Sequence, residues 1–239
     1  MKVELLNYTK DGVKLITEMA KSTRQNELKW ITEFDEIKED IKDLESKNEF
    51  IVPFTIKIEE LESRGTPKQQ AFIKHLIKVG HLGILEHINF TFYVSEVSRC
   101  LTHQLVRHRI ASYLQQSNRH VTPDKNSYVT PFSITNNTFN DNHKSLEYYN
   151  EVMNLAYDTY RNLIARGVPV EDARYILPPA FYQHISITMN ARTLRHFFEL
   201  RCEPDAQWEI RELANKMLEI CYEKYPVVFE DLKEKYLDE

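Results

Sequence analysis

INFTFYV, Ile88 to Val94, alternates without a break and sets Ile88, Phe90, Phe92 and Val94 on one side. Period-two patterning of this kind predicts a strand with one face in a core. After it the residue pattern predicts a helix over about 95 to 109. Before it, Thr66-Pro67 reads as the N-cap and first position of a helix that runs through Val79 and is stopped by Gly80. Further toward the N-terminus, Val3 and Leu5 alternate with Lys2 and Glu4 in a strand over 1 to 9, followed by a short helix carrying Val13, Ile16 and Ala20. Phe34, Ile37, Ile41 and Leu44 give an amphipathic helix over 34 to 47, and IVPFTIKI, 51 to 58, reads as a strand that Pro53 keeps partly to an edge. In the C-terminal half, 122 to 144 is rich in Asn, Thr, Ser and Pro and predicts a long mobile surface loop. A helix over 145 to 166 ends at Gly167, a short helix reaches Leu177, and Pro178-Pro179 breaks it. A strand at 185 to 189 and helices at about 191 to 201, 206 to 224 and 226 to 236 complete the chain as a single domain.

The 239 residues carry 31 Lys+Arg against 36 Asp+Glu, a formal charge of -5, which disfavours general coating of nucleic acid. With only five glycines, neither G-x-G-x-x-G nor G-x-x-x-x-G-K-[ST] can be written, so Rossmann and P-loop nucleotide binding are excluded. Cys100, Cys202 and Cys221 are widely spaced, which argues against a disulfide framework or a Cys-rich zinc site and fits a reducing cytoplasm. No signal peptide or membrane span is expected.

Polar chemistry concentrates in RHRIASYLQQSNRH, Arg107 to His120. Arg107, His108, Arg109 and Arg119, among Ser112, Gln115, Gln116, Ser117 and Asn118, suit an anion, because guanidinium forks bind phosphate oxygens and neutral donors close the shell. A basic helix end or a nucleic-acid patch reads equally from composition alone. On the expected preceding helix, Val97, Leu101, Gln104 and His108 share one face. A second cluster, NARTLRHFFELR, Asn190 to Arg201, has an apolar face of Leu194, Phe197 and Phe198, with Arg201 about 20° from it. An arginine so placed needs a partner, either a ligand or a carboxylate such as Glu199 or Glu209. Arg192 and His196 share a different face. GHLGILEH, Gly80 to His87, places His81, Glu86 and His87 in a helix-to-strand connection whose spacing does not match H-E-x-x-H, so no metal is expected. Cys221 falls on an apolar stripe with Ile210, Leu213 and Met217 and reads as core.

RHRIASYLQQSNR contains R-H-R-x7-S, the signature of flavin-dependent thymidylate synthases, in Arg107, His108, Arg109 and Ser117. Upstream lies G-H-x4-E-H-x2-F-T-F, and downstream lie Arg174 in EDARYILP, N-A-R-T-L-x-H-F-F-x-x-R ending at Arg201, and AQWEI at 206 to 210. Over about residues 75 to 215 the chain resembles that family. The resemblance implies an α+β fold with a central, mainly antiparallel sheet flanked by helices and a helical C-terminal part. It implies a cytoplasmic homotetramer, with FAD and dUMP bound where subunits meet. The implied reaction is reductive methylation of dUMP at C5, using 5,10-methylenetetrahydrofolate and NADPH; a nucleotide- or RNA-binding module without catalysis is the alternative. The family pattern assigns FAD contacts to His81, Glu86, Arg107, His108, Arg109, Asn190, Arg192 and His196. It assigns dUMP contacts to Gln104, Arg107, Gln115, Gln116, Ser117, Asn118, Arg119, Arg174 and Arg201, with catalytic roles for Arg201, Ser117 and His81.

The chain departs from the pattern at Gly83, Leu114, Gln115 and His120, where many members have Ser or Thr, Asn, Glu and Tyr. An FAD contact through a side chain is therefore lost at position 83, and a carboxylate is absent at 115. Near the N-terminus either Ser22 or Thr23 stands for a flavin-contacting serine.

Overall fold

The computed structural model describes residues 1–22, 65–136 and 142–238. The elements expected at 34 to 47 and 51 to 58, and Thr23, lie outside the described residues, while Ser22 is the last residue of α1. In order, the chain forms β1 (Lys2–Tyr8), α1 (Gly12–Ser22), α2 (Pro67–Lys78), a 3-10 turn (Leu82–His87), β2 (Asn89–Ser98) and α3 (Arg99–Leu105). It continues through β3 (Ser112–Gln115), α4 (Phe132–Thr135), α5 (Asn142–Ala165), α6 (Val170–Ala173) and a 3-10 turn (Arg174–Ile176). The last elements are β4 (Tyr182–Asn190), α7 (Ala191–Arg201), α8 (Trp208–Lys224) and α9 (Pro226–Tyr236). The fold is α+β: one four-stranded antiparallel sheet of order β1-β2-β4-β3, flanking helices, and a helical C-terminal part. Among the described residues no helix is long and apolar enough to cross a membrane.

Two compact units make up the chain. The first gathers Met1–Leu6, Thr91–Thr188 and Ala206–Leu213. In it the alternation read from sequence holds, for Phe92, Val94, Ile185 and Ile187 are fully buried while Thr91, Tyr93, His184 and Thr188 are only partly so. On that half-open face Thr91 and Thr188 hydroxyls meet at 3.0 Å, and Tyr93 Oη lies 3.0 Å from Nδ1 of His184. β3 joins the sheet antiparallel to β4, with Ser112 opposite Thr188 and Gln115 opposite Ile185.

The second unit gathers Asn7–Phe90, Met189–Asp205 and Ala214–Glu239. An aromatic cluster fills it: Phe90 meets Tyr225 and Phe229 edge-on at 5.9 Å, and Phe198 meets Phe229 at the same distance. Gly12 donates its amide to Tyr225 Oη at 3.0 Å, and a Cβ there would come within 2.7 Å of the ring, so the close approach requires glycine. α2 has the expected start, a capping box between Thr66 and Gln69 with Pro67 behind it, and Gly80 follows at φ +79 as the residue that ends the helix.

Besides β3, which was not expected, and β4, which begins at Tyr182 where 185 was expected, three boundaries differ from expectation. β2 continues to Ser98 in place of a helix from 95, because Glu96 takes a left-handed φ of 58° and shifts the alternation so that Val94 and Ser95 are both buried. α3 is accordingly only seven residues long. Within 122 to 144, Val129 donates to Ala180 O at 2.9 Å, Tyr149 Oη donates to Val129 O at 2.7 Å, α4 forms one turn, and α5 already begins at Asn142.

Candidate active site

In the first unit the site begins with a helix start. Ser98 caps α3 by accepting from the Leu101 amide at 3.0 Å, and its own amide and hydroxyl donate to the buried Glu209 carboxylate. α3 carries Gln104, whose amide bonds back to Cys100 O at 3.3 Å. The helix stops at Leu105 because Tyr113 reaches under the following turn, donating toward the carbonyls of both Leu105 and His108 at 2.8 Å. Burial holds the Tyr113 hydroxyl well above its ordinary value, so it remains a donor. Arg107, His108 and Arg109 therefore sit on a pinned turn, with both arginines exposed. The expected helical face of Val97, Leu101, Gln104 and His108 does not form, since Val97 is in β2 and His108 lies beyond α3.

From β3 the chain enters the second half of the polar cluster. Gln115 donates to Thr102 Oγ1 at 3.2 Å and to Gln183 Oε1 at 3.1 Å, so its amide is turned into the protein. Gln116 is fixed through its backbone amide to His184 O at 2.9 Å. Ser117 opens a turn: its carbonyl accepts from His120 and Val121 at 3.1 Å, and its hydroxyl accepts from the Arg119 amide at 3.3 Å. Arg119 pairs with the Glu171 carboxylate at 2.5 Å, while Arg174 donates Nε to the Glu171 carbonyl at 2.9 Å. Glu171 thus brings the Ser117 turn and the Arg174 segment together.

Between them opens a cavity of about 310 Å³. Its polar lining is Arg99, Asn118, Arg174 and Gln183; its apolar lining is Leu177, Pro178, Pro179 and Phe181, with Tyr175 also present. No carboxylate stands among the described residues that line it. Two guanidiniums without a carboxylate against an apolar wall make a receptor for an anion joined to a flat or apolar body. Asn118 and Arg174 were legible in the sequence. Arg99 and Gln183 were not, although the Ser98 cap just before Arg99 is the signal that would have placed it at a helix start.

In the second unit Asn190 caps α7, its Oδ1 accepting from Thr193 N at 2.8 Å, and Ala191 N donates to Ile88 O at 2.7 Å. This sets the first turn of α7 beside the 3-10 turn that carries Glu86, and Arg192 bonds to Glu86 at 2.5 Å. His81, Arg192 and His196 are exposed, and His196 Nδ1 lies 4.0 Å from Glu199. Arg201 is the arginine expected about 20° from the apolar face of α7. Arg201 is half-buried in the last turn of α7, whereas Arg195 is 6% exposed and chelated by Asp231 at 2.7 and 2.6 Å. Glu209, considered as an arginine partner, accepts from the Ser98 amide and hydroxyl. Cys221 is fully buried with Ile210, Leu213 and Met217 also at zero exposure, as its apolar spacing predicts.

A family model described as thymidylate synthase complementing protein matches residues 4–227. The flavin-dependent thymidylate synthase of Geobacter sulfurreducens is 43% identical over 180 residues, covering 74% of this chain and 75% of the relative. That of Saccharolobus solfataricus is 38% identical over 229 residues, covering 95% of this chain and 75% of its own length. The Pyrococcus furiosus protein of the same name is 49% identical over 149 residues, 61% of each chain.

Proposed function

The chain belongs to the flavin-dependent thymidylate synthase family, and from that premise we propose how its own residues serve the reaction and how its copies assemble. The activity is the reductive methylation of dUMP to dTMP, with 5,10-methylenetetrahydrofolate and NADPH as co-substrates and FAD as cofactor. When bound, FAD supplies hydride transfer, which the protein's side chains cannot provide.

In our reading dUMP occupies the cavity of the first unit. The terminal nitrogens of Arg174, the amide of Asn118 and the Ser117–Arg119 turn take the phosphate, and the wall around Phe181 and Leu177 takes the apolar side of the nucleoside. Gln104, Gln115 and Gln116 shape the surroundings, Gln115 through the buried Gln183. Negative charge rests on the uracil carbonyl oxygens in the enolate that must form before C5 can attack the one-carbon unit. Arg201 is assigned to those oxygens across a contact between copies, since a guanidinium fork gives them two directed hydrogen bonds.

The second unit's exposed polar set fits FAD by its chemistry. Arg192 keeps donors beyond the one given to Glu86, Asn190 keeps its amide NH2 after capping α7, and His81 and His196 offer ring nitrogens. Such a set suits the diphosphate and the ring edges of the cofactor, with Arg107, His108 and Arg109 as further contacts and His81 nearest the chemistry. Arg107 faces both ligands. We assign the meeting of FAD and dUMP to contacts between copies in a cytoplasmic homotetramer.

One observation carries this reading, the cavity lined by no carboxylate among the described residues, in which Arg174 is fixed through Nε and keeps its terminal nitrogens. The test is turnover of dUMP to dTMP by the purified protein with methylenetetrahydrofolate and NADPH, with flavin absorption measured alongside. Arg174→Gln should weaken dUMP binding while flavin stays bound, and Arg192→Gln should lower retained flavin. A protein that binds no flavin and makes no dTMP would overturn the reading.

A further inference from the structure

We propose that the hydroxyl of Tyr113 is a positioning group for cofactor binding: it ties together the carbonyls of Leu105 and His108 and so fixes the backbone from which Arg107 and Arg109 project. The inference rests on the assignment of those two arginines to FAD.

α3 ends at Leu105, and β3 does not begin until Ser112. Little else holds the turn between them in one shape. Val106 and Ile110 are exposed and bury nothing, and neither Gly nor Pro occurs from 106 to 111. Within the turn the backbone bonds are long, His108 N to Leu105 O at 3.1 Å and Arg107 N to Gln104 O at 3.2 Å. Arg107 and Arg109 are exposed, and among the described residues their side chains enter no hydrogen bond or ion pair. Among those residues, then, only the backbone beneath them orients the two guanidiniums.

Tyr113 reaches back to that backbone from β3, where it stands opposite Ile187, and its hydroxyl lies 2.8 Å from both carbonyl oxygens. A phenol has one proton, so the two carbonyls share it in a three-centre bond and residues 105 to 108 are drawn around one point. β3 is paired with β4 from Ser112 to Gln115, which makes that point part of the sheet. A turn already held in shape need not be ordered when a ligand arrives, and a loose one must be, at the expense of affinity. Tyr113 therefore acts on FAD affinity through the turn.

The test measures the FAD dissociation constant of the full chain by quenching of flavin fluorescence, with flavin retained through gel filtration as a second readout. Tyr113→Phe keeps the ring and removes the tether; it should weaken FAD about threefold to tenfold, the range for one neutral hydrogen bond. Tyr149→Phe is the matched comparison, since it removes a hydroxyl that donates to Val129 O at 2.7 Å in the same unit. Urea midpoints should fall alike in both, while Tyr149→Phe leaves FAD affinity within about twofold. Arg107→Gln and Arg109→Gln together should weaken FAD, and adding Tyr113→Phe to them should weaken it further by less than about twofold. If Tyr113→Phe leaves FAD affinity unchanged, matches Tyr149→Phe, or adds its full effect to the arginine replacements, the positioning role is overturned and the assignment of the arginines stands. If the arginine replacements leave FAD affinity unchanged, the assignment itself fails.

Discussion

The amide and hydroxyl of Ser98 both donate to the carboxylate of Glu209, at 2.7 and 2.5 Å, across 111 residues of sequence. Glu209 is 3% exposed, so water cannot replace it as acceptor. Glu209→Ala should lower stability by about 2 to 4 kcal/mol, the cost of two buried donors left unpaired. Glu209→Gln, which keeps one acceptor oxygen, should lose about half as much by the same reasoning. Urea unfolding checks both, and midpoints equal to the parent's would show that Ser98 finds other acceptors.

Ser117 should act as a phosphate ligand and not as a nucleophile. Its hydroxyl accepts from Arg119 N, and among the described residues no imidazole or carboxylate is hydrogen-bonded to it to remove its proton. Ser117→Ala is therefore expected to weaken dUMP by about 1 to 2 kcal/mol with measurable turnover retained. Mass spectrometry of the quenched reaction should find no dUMP adduct on Ser117; an adduct, or an inert alanine variant at saturating dUMP, contradicts the assignment.

The Arg195 and Asp231 pair predicts an acid dependence of stability. Burial raises the Asp231 carboxyl, but the hydrogen bonds and charge of Arg195 more than offset this, and the carboxyl ends below its ordinary value. A depressed folded value means the contribution is complete above the unfolded value of about 3.9 and is lost as pH falls through the lower folded one. Because the Asp231 side chain is 56% exposed, Asp231→Asn should cost only about 1 to 2 kcal/mol at neutral pH. The gap between parent and variant should close below about pH 4. A gap independent of pH from 3 to 7, measured by urea unfolding, would falsify the pairing as the source.

Strands and capped helices were legible where one local rule acted alone. Ile88, Phe90, Phe92 and Val94 are all fully buried as their alternation requires, and Thr66, Pro67 and Gly80 bound α2 as their chemistry requires. The end of β2 was hidden because Glu96, in a left-handed conformation, breaks the period that identifies a strand. Arg195 was hidden for another reason. Beside Leu194 it lies about 100° round the helix from the apolar stripe, and its partner is supplied by α9. The cavity draws on positions 99, 118 and 174 to 183, which no motif spacing joins.

Thiol reactivity should divide the three cysteines. Burial pushes Cys202 up to about 12, with Glu203 adding to it, and Cys221 rises well above the ordinary thiol value by burial alone. Cys100 is exposed. Iodoacetamide on the folded protein should label Cys100 alone, and all three should react in denaturant. Labelling of Cys221 at native speed would mean that the second unit opens readily.

The two units are each assembled from three stretches that alternate along the chain, which gives biosynthesis a particular order. Gly12 leaves the ribosome 213 residues before Tyr225, whose hydroxyl receives its amide and bonds to the Thr9 carbonyl. Glu209 likewise arrives long after Ser98. Neither unit can close before its last stretch is made, so the nascent protein must carry Phe90 without its ring partners Tyr225 and Phe229 until then. Neither unit can be expressed as one contiguous fragment.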